Sequence, residues 1–99
     1  MLTGKQRAYL RGLASQLQPA VYIGKENLTA AVVTEMHDYL NAHELLKVKI
    51  QEGSDLQAKE AANEAAQRLG AEFVQAIGRR FVLYRRADDP DKRTIVLPK

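Results

Sequence analysis

The chain has 99 residues, 45% of them hydrophobic and 27% charged, with a formal charge of +3 at neutral pH and no cysteine. That length accommodates one domain with a modest core. The missing cysteines exclude a disulfide framework, thiolate zinc sites and a Cys nucleophile, and they fit a reducing, cytoplasmic setting.

The segment "LTGKQRAYLRGLASQL" predicts a first helix. Thr3 is a good N-cap and Gln6 follows at the spacing of a capping box. Leu10, Leu13, Ala14 and Leu17 form the stripe to be buried, Lys5, Arg7 and Arg11 lie off it, and Pro19 ends it. The same N-terminal stretch lacks the apolar centre of a secretory signal, and no apolar run reaches the ~20 residues of a membrane span. "AVYIG", residues 20–24, predicts a short buried strand, and "KENL" a turn. Thr29, with Leu28 before it and Val33 after it, marks the start of a second helix running to about Asn41. Val32, Val33, Met36 and Leu40 face inward there. In "LLKVKIQ", residues 45–51, Val48 and Ile50 point one way and Lys47 and Lys49 the other.

"EGSD" breaks the chain, and Ser54 with Gln57 suggests a second capping box. A third helix carries Leu56, Ala62, Ala65, Ala66 and Leu69 toward a sheet, with Gly70 as its stop. "EFVQAI" and "FVLYRR" are two strands joined by a tight hairpin at Gly78-Arg79-Arg80. "ADDPDKRTIVLPK" reads as a polar tail with a short apolar patch. The expected organisation is one domain over residues 1–87 and a tail over 88–99. The order α-β-α-β-α-β-β gives an α/β two-layer sandwich with a mixed four-stranded sheet.

Few residues offer catalysis. His37 and His43 match no usual metal spacing and have no evident third ligand. Glu35, Asp38, Glu60 and Glu64 are scattered, and nothing in the sequence buries a pair to split their pKa values. Ser15 and Ser54 lack a base partner. Gly24-Lys25 is too little for a phosphate-cradling loop. No enzyme activity, cofactor, metal or small-molecule substrate is expected.

The basic residues carry more information. Lys5, Arg7 and Arg11 share the first helix, Lys25 follows the first strand, and "IGRRFVLYRR" brackets an apolar run with Arg79, Arg80, Arg85 and Arg86. Gly78 permits a backbone that turns N–H groups toward an anion, and guanidiniums beside it are bidentate phosphate donors. Phe81 would anchor the turn in the core, and Tyr84 lies between the two arginine pairs. An ordinary hairpin with solvated arginines is the competing reading.

"LTGKQRAYLRGLA", "IGKENLT", "AHELLKVKI", "IGRRFVLYRR" and "IVLPK", in this order and over nearly the whole chain, resemble the CRM domain, named for chloroplast RNA splicing and ribosome maturation, in its stand-alone bacterial YhbY-type form. The resemblance implies a fold similar to the C-terminal domain of translation initiation factor three. It implies RNA binding, with large-subunit precursors as the target of single-domain bacterial members. The family's Gly-x-x-Phe loop falls on Gly78, Arg79, Arg80 and Phe81, and its basic first helix on Lys5, Arg7 and Arg11. Its Ile-Gly-Lys-x-Gly-Leu segment falls on Ile23 to Leu28, with Asn27 in place of glycine. Asn tolerates the left-handed region, so the turn should survive. The family supplies no catalytic residues.

The expected function is binding of structured ribosomal RNA in large-subunit assembly, by a monomer, through Lys5, Arg7, Arg11, Lys25, Gly78, Arg79, Arg80, Phe81, Arg85 and Arg86. One alternative is an architectural DNA-binding protein. Another is an adaptor whose Ile95-Val96-Leu97 patch docks a protein on the ribosome.

Overall fold

The structure is a computed structural model that describes residues 1–99. Its elements in chain order are α1 (Gly4–Ala14), β1 (Val21–Ile23), α2 (Ala30–His43), β2 (Leu45–Ile50), α3 (Ala58–Leu69), β3 (Glu72–Ile77) and β4 (Arg80–Tyr84). The expected order of α-helices and strands is the observed one, and a single 3-10 turn at Pro90–Lys92 follows β4 in the segment expected to be a polar tail. No helix is long and apolar enough to cross a membrane.

Local chemistry sets most boundaries. Thr3 Oγ1 accepts from Gln6 N at 3.1 Å and Gln6 Oε1 accepts from Thr3 N at 3.0 Å, which is the expected capping box. Thr29 caps α2 by accepting from Val32 N. The expected box at Ser54 does not form. Gln57 is itself the N-cap of α3 and makes no side-chain cap bond. The Ser54 hydroxyl instead accepts from Leu56 N and donates to Asn27 Oδ1 at 2.7 Å. It therefore ties together the turns that follow β1 and β2. Asn27 takes φ 63, so the turn expected to tolerate Asn for Gly does form, and its amide gains a partner glycine would lack. α1 also ends earlier than Pro19 suggests: Ser15 caps it, Leu13 is exposed, and Leu17 packs from the following loop.

The sheet order is β1-β2-β4-β3, with β1 parallel to β2 and the other neighbours antiparallel. Alternation sends Val21, Ile23, Leu46, Val48, Ile50, Phe81 and Leu83 to the face covered by α2 and α3. On α3 the residues Ala61, Ala62 and Ala65 are buried, and their small side chains let the helix sit close to the strands. The sheet with α2 and α3 is the two-layer sandwich. α1 lies on the opposite face and covers only part of it, burying Leu2, Leu10 and Ala14 against Leu45, Val74, Val82 and Tyr84. That partial cover leaves the remainder of the second face open.

The segment after Ala87, expected as a separate tail, returns to this second face. Ile95 and Leu97 pack against the smaller cluster, and only Val96 of the apolar patch is exposed, at 82%. Ile95 and Leu97 of the patch named in the adaptor alternative are thus partly buried against the chain's own core. A buried carboxylate holds the return in place. Glu44, the C-cap of α2, is fully buried at φ 69. Its Oε1 accepts from Thr94 N (2.8 Å) and Ile95 N (3.1 Å), and its Oε2 from Ala87 N (3.0 Å). Burial alone would raise the Glu44 carboxyl. The amides of Ala87, Ile95 and Thr94, with the charge of Arg93, outweigh burial and hold it below its ordinary value of 4.5.

Candidate nucleic-acid interface

The β3-β4 turn is as tight as the sequence suggests. Ile77 pairs with Arg80, which leaves Gly78 and Arg79 as a two-residue connection. Gly78 has φ 60 and Arg79 does not enter the left-handed region, the pattern of a II′ hairpin with glycine first. A Cβ built on Gly78 meets nothing within 4 Å, so the glycine is required by backbone conformation and not by crowding. Phe81 carries the turn into the core at 1% exposure. Arg79 O accepts from Ile50 N at 2.7 Å and its guanidinium reaches Gln51 O at 3.4 Å, so the hairpin is fastened to the end of β2.

Register then gathers cations on the open face. Tyr22 of β1 lies opposite Lys49 of β2, Lys49 opposite Arg80 of β4, and Arg80 opposite Ile77 of β3. Directly opposed residues share a face with Cβ atoms about 4.5–5.5 Å apart. Lys47 is two residues before Lys49 and so projects to the same side. The C-terminal half of α1 adds Arg11, which lines one cleft with Lys47 and Arg80. A second concavity of about 540 Å³ runs beside it, lined by Tyr22, Lys49, Gln51, Glu52, Arg79 and Arg80. The ion pairs of the molecule join the N-terminal amine to Glu72 and Arg68 to Glu64. Arg11, Lys47, Lys49, Arg79 and Arg80 therefore have no carboxylate partner, although Lys49 and Arg80 stand directly opposite each other. Like charges so placed destabilise a sheet, and a bound polyanion removes that penalty.

Of the residues singled out in the sequence, Arg11, Gly78, Arg79 and Arg80 converge on this end of the sheet. Lys25 follows β1 at the same end, with its stem lying over Gly53. Phe81 is inside, where it supports the turn. Lys5 sits on the opposite half of α1, and the Arg7 guanidinium donates to Phe73 O at 3.3 Å. Arg85 and Arg86 lie beyond the far end of β4; six residues of strand rise separate Arg86 from Arg80 by about 20 Å.

Arg85 has a structural task. Its guanidinium donates to Leu69 O at 2.8 Å and to Asn41 Oδ1 at 2.8 Å, and it meets His37 Nδ1 at 3.2 Å. It thus joins α2 to the C-terminal end of α3, at a distance from the pair at 79–80. The variant Arg85→Ala is expected to lose about 1–2 kcal/mol of stability by orphaning Leu69 O and Asn41. Thermal melts would show this as a fall in Tm.

Sequence reasoning missed Lys47, Lys49 and Tyr22. The alternation in "LLKVKI" marks the two lysines as sharing a face. That this face is left open follows from where α1 packs, which no local pattern states.

Comparison with known proteins bears on the family and the fold. The CRS1 / YhbY (CRM) domain profile matches residues 2–85. The chain is 40% identical over 89 residues to a protein of Haemophilus influenzae named "RNA-binding protein", covering 89% of each sequence. It is 31% identical to the Bacillus subtilis protein named "Probable RNA-binding protein YqeI", covering 99% of this chain and all of the other. The solution structure of SAV1595 from Staphylococcus aureus superposes with a TM-score of 0.80 at 35% identity, covering 99% of this chain and all of that one.

Proposed function

Because the chain belongs to the CRS1 / YhbY (CRM) domain family, we propose that it binds RNA through the open half of its second sheet face. The observation that carries this reading is the row of unpaired cations. Arg11, Lys47, Lys49, Arg79 and Arg80 meet around a glycine-first hairpin, and none has a carboxylate partner. Such a row neutralises neighbouring phosphates, and Tyr22 beside it offers an aromatic face to an unpaired base. The relatives named as RNA-binding proteins support RNA as the polyanion. The family resemblance supports structured ribosomal RNA of the large-subunit precursor as the target, with the protein acting in assembly and not as an enzyme.

The mechanism is electrostatic and shape-dependent. Phosphate contacts position the protein, and the geometry of the folded RNA supplies what selectivity there is. Five phosphates neutralised on a duplex region give a log-log salt slope of about −4 to −5. Replacing Arg79 and Arg80 with alanine is expected to flatten that slope by up to ~2. A double variant that binds precursor ribosomal RNA like the parent at every salt concentration would remove the hairpin from the interface. Gradient fractionation of extract tests the target: the protein should sediment with large-subunit precursors. Matched duplexes test the polymer, and a preference for DNA would favour the architectural alternative.

A further inference from the structure

The cleft between α1 and the sheet holds features that a phosphate grip leaves unexplained. Its volume is about 440 Å³, and Arg11, Gly12, Lys47, Gln75, Ile77 and Arg80 line it together with short side chains of α1 and the flank of β4. No carboxylate faces it. Gly12 sits inside α1, where glycine weakens a helix relative to alanine. A Cβ built there meets no atom within 4 Å, so nothing in the protein's own packing calls for the glycine. Gln75, half-buried beside the irregularity in the β3-β4 register, makes no side-chain hydrogen bond to the rest of the chain. Ile77 stays 66% exposed at the end of the edge strand.

We infer that this cleft takes one unstacked nucleobase of a single-stranded RNA segment, an inference that rests on the RNA-binding reading above. The bare wall at Gly12 and the exposed side chain of Ile77 give a flat ring room and apolar contact. The free amide of Gln75 offers both a donor and an acceptor, which complements the edge of a base. Guanidiniums at the rim stack on such a ring as well as pairing with the phosphates on either side of it. A base held in a duplex cannot enter, so the cleft adds affinity only for unpaired nucleotides.

Two variants test this: Gly12→Leu, which fills the cleft, and Gln75→Leu, which removes the amide at similar size. The probes are a labelled single-stranded RNA of about ten nucleotides and mixed sequence, and a blunt RNA duplex of the same length, titrated at one salt concentration. Each variant is expected to lower single-strand affinity about 5–10-fold while duplex affinity stays within about twofold. Gly12→Leu should also raise Tm, because a better helix former replaces glycine, and this separates lost binding from lost folding. Unchanged single-strand affinity in Gly12→Leu, or equal losses for both probes, overturns the base subsite and leaves the cationic row standing. A parent protein that binds neither probe overturns both.

Discussion

Changing Lys49 and Arg80 to glutamate together is expected to lower RNA affinity by roughly 10²–10³-fold at moderate salt. Two phosphate contacts are lost and two repulsive charges replace them at the centre of the row. The fold should not suffer in proportion. Lys49 and Arg80 already face each other across β2 and β4 as like charges, and the double reversal reproduces that arrangement with the opposite sign. The single variant Lys49→Glu separates the effects further. It places opposite charges across the strands and should gain about 0.2–1 kcal/mol of stability while still losing affinity. Thermal melts and filter binding on the same samples check both halves. A Lys49→Glu protein that melts higher and binds RNA undiminished would show that the row is an ordinary solvated face.

Glu44 is where the largest loss of stability is expected. Glu44→Ala leaves the N–H groups of Ala87, Thr94 and Ile95 without their acceptor, and the variant should lose about 3 kcal/mol. For a domain of this size that lowers Tm by roughly 10–20 °C. Limited proteolysis should then cut after Ala87, where the parent resists. Glu44→Gly distinguishes the two demands at this position. It relieves the left-handed backbone at φ 69, yet it is still expected to release residues 88–99, because the carboxylate is what holds them. The pH dependence follows from the depressed folded-state pKa. The contribution of Glu44 is complete above the ordinary carboxyl value of 4.5 and is lost as pH falls through the lower folded value. Parent and Glu44→Gln melting curves should therefore differ near neutrality and converge in acid. Tyr84, in the cluster beneath the returning segment, does not mask this titration. Burial first and the Glu44 charge second raise its phenol, which stays neutral throughout that range.

How much of this was legible in the sequence depends on the range of the interaction. Thr3 with Gln6, Thr29, the alanines of α3 and the glycine-first hairpin act through near neighbours, and each is found where the residues place it. Ser54 shows the limit. Its spacing to Gln57 fits a capping box, but the hydroxyl finds Asn27, which is distant in sequence. Arg85 and Arg86 look equivalent to Arg79 and Arg80 in the string "RRFVLYRR", yet the length of β4 parts them. Arg85 is then claimed by carbonyl and amide oxygens at the ends of two helices. The strand rise alone announces that separation, whereas the partners of Arg85 depend on how α2 and α3 pack. Lys47 and Lys49 fall in the same class, since their alternation is local and the exposure of their face is not. Glu44 had no signal at all: a glutamate after a helix reads as surface, and only the return of residues 87–95 buries it.

The fastening of the chain's two ends has a practical corollary. Leu2 N donates to Glu72 Oε1 at 3.2 Å, and Gln6 Nε2 donates to Pro98 O at 3.0 Å, so both termini emerge beside the start of β3. The hairpin of Gly78 and Arg79 closes the other end of that same strand. An affinity tag or fluorophore appended to either terminus would project away from the cations, and a short peptide could join the two ends into a circle. Surface immobilisation by a terminus would leave the opposite pole facing solution.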